Sequence, residues 1–258
     1  MDYKNILVYQ EEGIGVIKMN RPEVRNALDA RSHREIEDAL NQWEEQEEIK
    51  AIAFIGEGEK SFAAGADIRQ LKLKDAHDAL LPGLSGVCQK IENSSKVTIA
   101  AINGFALGGG CELALSCDIR IAAEHAKIGL PELNLSIIPG GGGTQRLARI
   151  VGKGRALHMI LTGEIVTAQK AEQIGLVSSV VPIEELWKTV VEYVNKIARK
   201  GPLALKLAKM VVNQGFDTDL KTALMLEKFA QAILFNSEDK KEGVEAFLEK
   251  REPVFKGK

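Results

Sequence analysis

The chain has 258 residues, enough to bury a sizeable core as one domain or as a domain with an appendage. With 45% apolar residues, 27% charged residues and a net charge of -2, it offers no general electrostatic basis for binding nucleic acid or an anionic membrane. No run of about 18 uncharged apolar residues occurs, which excludes an evident membrane-spanning helix. The opening Met1-Asp-Tyr-Lys-Asn-Ile6 has neither an apolar signal core nor Arg/Ser-rich transit character. The three cysteines, Cys88, Cys111 and Cys117, lack zinc-like spacing and read as small buried hydrophobes in a reducing compartment. A cytoplasmic protein is the expectation.

In chain order, residues 6–9 and 15–19 read as strands joined across Gln10-Glu-Glu-Gly-Ile14, and Asn20-Arg-Pro-Glu23 as a further turn. Residues 29–48 carry Ile36, Ala39, Leu40 and Trp43 at helical spacing, with Asp29 as the N-cap. Short apolar runs at 51–55, 97–102, 119–123 and 176–181 read as buried strands. Between them, residues 84–92, 109–116, 144–151 and 167–173 read as helices. Alternation of this kind predicts an α/β class. Beyond Pro182 the pattern becomes helical, at 184–199, 202–213, 220–235 and 239–250. The expected organisation is a core over residues 1–199 and an all-helical region over 200–258. The broad apolar faces of the terminal helices would suit either a subunit contact or packing on their own core.

Two glutamates stand alone in apolar, glycine-rich stretches. Glu112 lies in Ala106-Leu-Gly-Gly-Gly-Cys-Glu-Leu-Ala114, and Glu132 lies in Gly129-Leu-Pro-Glu132, shortly before Ile138-Pro-Gly-Gly-Gly-Gly-Thr-Gln-Arg-Leu147. A carboxylate is almost never fully buried without compensation, so two such groups point to an acid/base pair in a desolvated pocket. A third glycine segment, Ser61-Phe-Ala-Ala-Gly-Ala-Asp-Ile68, offers close backbone approach to a ligand. The glycines before residue 112 open a helix, where free N–H groups and the helix dipole suit a developing oxyanion. Phosphate binding fits poorly: no Gly-x-x-x-x-Gly-Lys-Ser/Thr occurs, and Gly108-Gly-Gly110 lacks the dinucleotide spacing.

Those three segments, together with Asn20-Arg-Pro-Glu-Val-Arg-Asn-Ala-Leu28 and the end of the chain to Phe247-Leu-Glu-Lys-Arg251, resemble the crotonase (enoyl-CoA hydratase/isomerase) family over nearly the whole length. The resemblance implies a spiral of ββα repeats with a C-terminal helical oligomerisation region, giving trimers or hexamers built as dimers of trimers. It implies an acyl-CoA thioester substrate, with the coenzyme as part of that substrate and no separate cofactor. The thioester oxygen would sit between the N–H groups of Ala66 and Gly109. The stretch Ala66, Asp67, Ile68 and Arg69 would lie along the substrate, and Ala64, Gly108 and Pro131 would line it. Arg25 and Ala27 would hold part of the CoA, and Phe247 and Lys250 match positions that reach the CoA of a neighbouring subunit.

Within such a family the presence of both carboxylates implies hydration rather than simple double-bond isomerisation. Glu112 would orient and deprotonate the attacking water, and Glu132 would protonate C2. Addition across C2=C3 of a 2-enoyl-CoA would give a 3-hydroxyacyl-CoA. Stretches such as Ser116-Cys-Asp-Ile-Arg-Ile-Ala-Ala123, Val212-Asn-Gln-Gly215 and Pro253-Val-Phe-Lys-Gly257 resemble the methylglutaconyl-CoA hydratases of leucine breakdown. That branch includes a member that binds RNA through a lysine-rich helix. Here the matching residues 27–50 hold eight acids against Arg31, Arg34 and Lys50, a face that would repel phosphate, so no nucleic-acid partner is expected. The remaining titratable residues have plainer readings. His33, His77, His125 and His158 have no metal-ligand spacing, Asp67 suits a helix N-cap, Asp118 reads as structural and Arg146 as an anchor of its own loop.

Overall fold

A computed structural model describes residues 3–65 and 71–258. The first two strands, β1 (Ile6–Glu11) and β2 (Ile14–Met19), form an antiparallel hairpin whose loop is only Glu12 and Gly13. Both loop residues have positive φ, 49° and 76°, the twist that a two-residue hairpin turn requires. Helix α1 (Ala30–Glu45) follows. The Asp29 carboxylate accepts from the Ser32 N–H at 2.8 Å, and Ile36, Ala39, Leu40 and Trp43 are all buried. The expected cap and apolar face of this helix are thus both present.

The next elements repeat a pattern. Strand β3 (Ala51–Gly56) is followed by β4 (Ser61–Ala64) and, after the short helix α2 (Ala76–Leu80), by α3 (Gly83–Glu92). Then come β5 (Val97–Ile102), β6 (Phe105–Leu107) and α4 (Gly109–Ser116). The third turn is β7 (Ile119–Ala123), β8 (Lys127–Gly129), a 3-10 turn (Glu132–Leu135), α5 (Gly143–Val151) and α6 (Lys153–Thr162). Strand β9 (Ile165–Thr167), α7 (Ala168–Gln173), β10 (Ser179–Val181) and α8 (Ile183–Ala198) complete this stretch.

From β3 to β8, successive strands enter different sheets. One sheet runs β1-β2-β3-β5-β7-β10 and the other β4-β6-β8-β9. Each ββα repeat therefore gives its first strand to the larger sheet and its second to the smaller, and the chain advances as a spiral. Strands β4, β6 and β8 are mutually parallel, so their C-terminal ends lie side by side. The larger sheet supplies much of the core: Ile17, Ile52, Phe54, Ile99 and Ile102 are fully buried, together with Phe62 of β4. Each such side chain contributes about 1.5–3 kcal/mol by leaving water. Cys88, Cys111 and Cys117 are buried free thiols, as their apolar reading anticipated.

The smaller sheet has no counterpart in the pattern read from the sequence. Strands of three or four residues are too short to display a period of two. The run 176–181 also forms less strand than expected. Gly175, with φ of 76°, lets α7 end in a turn in which the N–H groups of Leu176 and Val177 reach the Ala171 carbonyl, leaving only Ser179–Val181 extended.

Two compact units are present. The first comprises the residues to Ser94 with Thr98–Val191, and the second comprises Ser95–Val97 with Glu192–Lys258. The second is helical, with α9 (Pro202–Phe216), α10 (Leu220–Phe235) and α11 (Glu238–Glu249). The buried carboxylate of Asp239 accepts from the N–H groups of Lys256 and Gly257, which fixes the chain's last turn on α11. No helix among the described residues is long and apolar enough to cross a membrane.

Candidate active site

The site grows from the C-terminal ends of β4, β6 and β8, each of which carries a glycine: Gly65, Gly108 and Gly129. Gly108 has φ of 52° and ψ of -124°, a conformation that a side chain would strain. An added Cβ there would stand 3.1 Å from Glu132 Oε1 and 3.6 Å from the Gly65 Cα. Three separate segments therefore converge on one small volume. Immediately afterwards α4 starts, and its Gly110 presses on β4 so closely that a Cβ would lie 1.9 Å from the Ala63 carbonyl oxygen. Gly109 is the first residue of this helix, where no carbonyl stands four residues back to receive its N–H.

Glu112 lies in the first turn of α4 and is 2% exposed. Its Oε1 accepts two backbone hydrogen bonds, from Gly141 at 2.7 Å and Gly143 at 2.8 Å. Burial raises its pKa, and the two N–H groups and the Arg146 charge pull the other way without cancelling that rise. The donors lie in the glycine run before α5. A Cβ on Gly141 would stand 2.8 Å from Glu112 Oε2 and 2.9 Å from Leu84 Cδ2, and one on Gly143 would stand 3.0 Å from Glu112 Oε1. This loop can approach the carboxylate only because it has no side chains.

Glu132 follows Pro131 at the head of the 3-10 turn. Its Oε2 is buried without a hydrogen-bond partner among the described residues. Burial, followed by the nearby Glu112 charge against the pull of its own backbone N–H, moves its carboxyl up to about 7. The two glutamates therefore differ. Glu112 Oε1 is held by two backbone donors, whereas Glu132 Oε2 has none among the described residues and its carboxyl is raised into the neutral range.

The loop bearing Arg25 and Ala27 is laced to β4. The Arg25 carbonyl accepts from the Ala64 N–H at 3.0 Å and from the Ser61 hydroxyl at 3.0 Å, and the Leu28 N–H donates to Gly65 O at 2.9 Å. Arg25, Ala27, Ala64, Gly108, Gly109, Glu112, Pro131 and Glu132 are thus brought into one region of the first unit. Ala66, Asp67, Ile68 and Arg69 lie outside the described residues. Phe247, 83% exposed, and Lys250, at the end of α11, belong to the second unit. The structural readings of Asp118 and Arg146 are met in detail, and that of Asp67 falls outside the described residues. The Asp118 carboxylate accepts from the Thr98 N–H at 2.8 Å, joining β5 to β7, and Arg146 binds the Gly141 carbonyl of its own loop. His33 is largely buried, and burial brings its pKa down to about 4. Among the described residues no His, Cys, Asp and Glu side chains group so as to hold a metal ion. The sequence reading missed Gly141 and Gly143 as donors to Glu112. The run of four glycines was visible, but which carboxylate it faced was not.

A two-sheet spiral with glycine-lined strand ends over paired carboxylates is the crotonase architecture. The crystal structure of enoyl-CoA hydratase from Bacillus anthracis matches it with a TM-score of 0.94, at 41% identity over 99% of this chain and 100% of that one. The chain is 44% identical over 253 residues to a short-chain-enoyl-CoA hydratase of Clostridium acetobutylicum, covering 97% of each. To a crotonyl-CoA hydratase of Syntrophomonas wolfei it is 45% identical over 257 residues, covering 99% of each. The model of the enoyl-CoA hydratase/isomerase family matches residues 9–258. The chain belongs to that family.

Proposed function

We propose that this enzyme adds water reversibly across C2=C3 of a short-chain 2-enoyl-CoA to give the 3-hydroxyacyl-CoA. The observation that carries the reading is the paired environment of Glu112 and Glu132, one carboxylate fixed by two N–H groups and one raised to about 7. Glu112 orients the water and takes its proton as the oxygen bonds to C3. The C2=C3 electron pair moves toward the thioester carbonyl, and C2 then takes its proton from Glu132. The water supplies OH at C3, Glu132 supplies H at C2, and a proton passing from Glu112 to Glu132 or through solvent resets the pair. Because the two groups sense each other, they titrate as a coupled pair.

The negative charge on the thioester oxygen is met by the Gly109 N–H at the positive end of α4, paired with the Ala66 N–H. Arg25, Ala27, Ala64, Gly108 and Pro131 contact the substrate in this reading, together with Asp67, Ile68 and Arg69. The reaction needs no cofactor beyond the CoA that the substrate carries. The enzyme works in the cytoplasm as a trimer or a dimer of trimers, with residues 1–199 as catalytic core and 200–258 as the assembly region. In support of assembly, Phe216, Phe229, Ile233 and Leu248 are all more than half exposed in the single chain. Phe247 and Lys250 would then reach a neighbour's CoA.

The named relatives favour a short linear acyl group, whereas several sequence stretches favour 3-methylglutaconyl-CoA. A kcat/KM panel of crotonyl-, hexenoyl-, 3-methylcrotonyl- and 3-methylglutaconyl-CoA separates them. On the preferred substrate Glu132→Gln and Glu112→Gln each lower hydration by about 10²–10⁴-fold. Wild-type inactivity across the panel, or unchanged hydration after Glu132→Gln, overturns the reading. A wild type that isomerises the double bond without hydrating it, an activity that Glu112→Ala leaves largely intact, assigns an isomerase instead.

A further inference from the structure

Gly141 is gripped on both sides. Its N–H donates to Glu112 Oε1 at 2.7 Å, and its carbonyl accepts from Arg146 Nη1 at 2.8 Å. The same guanidinium reaches back to the last residue of α3, with Nη2 and Nε at 2.8 and 3.3 Å from the two carboxylate oxygens of Glu92. The Arg146 side chain is 14% exposed and that of Glu92 40%, so the guanidinium is screened from water while its carboxylate brace is partly open to it. It also interlocks with the loop: at Gly142, with φ of 101°, a Cβ would stand 2.1 Å from Arg146 Nη1. Four consecutive glycines, Gly140 to Gly143, have wide conformational freedom. An unrestrained run would not keep two N–H groups aimed at one oxygen.

We propose that Arg146, braced by Glu92, is a positioning residue for the hydration reaction. It clamps the Gly141 carbonyl so that the loop presents the N–H groups of Gly141 and Gly143 to Glu112 Oε1 and turns Oε2 toward the attacking water. This rests on the role given to Glu112 above. The clamp differs from a simple charge effect. Arg146 also favours the ionised Glu112 through its positive charge, but a lysine would retain that charge while lacking the planar fork that holds a carbonyl and a carboxylate together.

The test compares Arg146→Lys, Glu92→Gln and Glu112→Gln on crotonyl-CoA across pH. Arg146→Lys lowers kcat by about tenfold to a hundredfold, with little change in KM, because the misplacement affects the reacting geometry more than binding. The acidic limb of its kcat/KM profile moves to higher pH, since Glu112 loses donors that favour its ionised form. Glu92→Gln moves the limb the same way by less. In a Glu112→Gln background, Arg146→Lys adds no further loss, as expected for a residue acting through Glu112. A loss that is uniform across pH, or one that adds fully in that background, overturns the clamp and leaves the hydratase reading intact. If Arg146→Lys does not fold, Glu92→Gln decides by the same limb shift and the same cycle. Unchanged hydration in Glu112→Gln alone overturns both.

Discussion

In the larger sheet, strands of five or six residues predominate, and Ile17, Ile52, Phe54, Ile99 and Ile102 are fully buried. In the smaller sheet, the strands have three or four residues, β8 ends on Gly129, β4 and β6 are each followed directly by a glycine, and the backbone itself forms the working surface. Both sheets are fed by the same ββα repeats. One contributes apolar side chains to stability, and the other contributes close backbone approach and free N–H groups to chemistry. Stability and activity should therefore respond to different substitutions.

The largest separation is expected from Phe54→Ala in β3. Removing a fully buried phenyl costs about 3–5 kcal/mol in urea unfolding, while kcat per folded molecule changes little. A matching fall in kcat would show that the larger sheet sets site geometry and would break the division. Next is Gly110→Ala, whose Cβ would meet the Ala63 carbonyl at 1.9 Å. Overpacking of this kind costs about 1–3 kcal/mol, and it displaces the start of α4 with its Gly109 N–H and Glu112. The expected result is a modest drop in stability with a disproportionate drop in kcat. Equal losses in both would blunt the comparison.

The smallest effect sharpens it most. An ordinary glutamate titrates near 4.5, and Glu132 is held up to about 7 in the folded chain. The folded state thus binds this proton more tightly than the unfolded state. No cost is felt below about pH 4.5, and stability is lost as pH rises from there through 7. Glu132→Gln should then stabilise the fold at pH 8 by about 1–2 kcal/mol, after discounting for a half-buried group, and not at pH 4. A variant that loses hydration while gaining thermal stability at pH 8 would mark Glu132 as a residue kept for chemistry. A loss of stability at both pH values would assign it to packing.

Much of this molecule is legible in local pattern. Helix α1 with its Asp29 cap, the strands at 97–102 and 119–123 and the helices at 109–116 and 220–235 follow from apolar spacing and turn residues. Glu112 was conspicuous because a charged residue amid Cys111, Leu113, Ala114 and Leu115 contradicts its surroundings. The smaller sheet was invisible because its strands are too short to carry a period, and its pairing joins residues far apart in sequence. Resemblance to a family supplied the spiral that periodicity could not.

The sequence by itself determined the α/β class, the helical end of the chain and two carboxylates in apolar settings, because these depend on neighbours within a few positions. Only the tertiary structure decided which glycines serve which carboxylate. It brought Gly141 and Gly143 to Glu112 Oε1, set Arg146 between that loop and Glu92, and left Glu132 Oε2 without a donor among the described residues. The physical reason is that a hydrogen bond between residues about thirty apart depends on the path of the backbone, and the glycine residues in that path leave no local signature of where it turns.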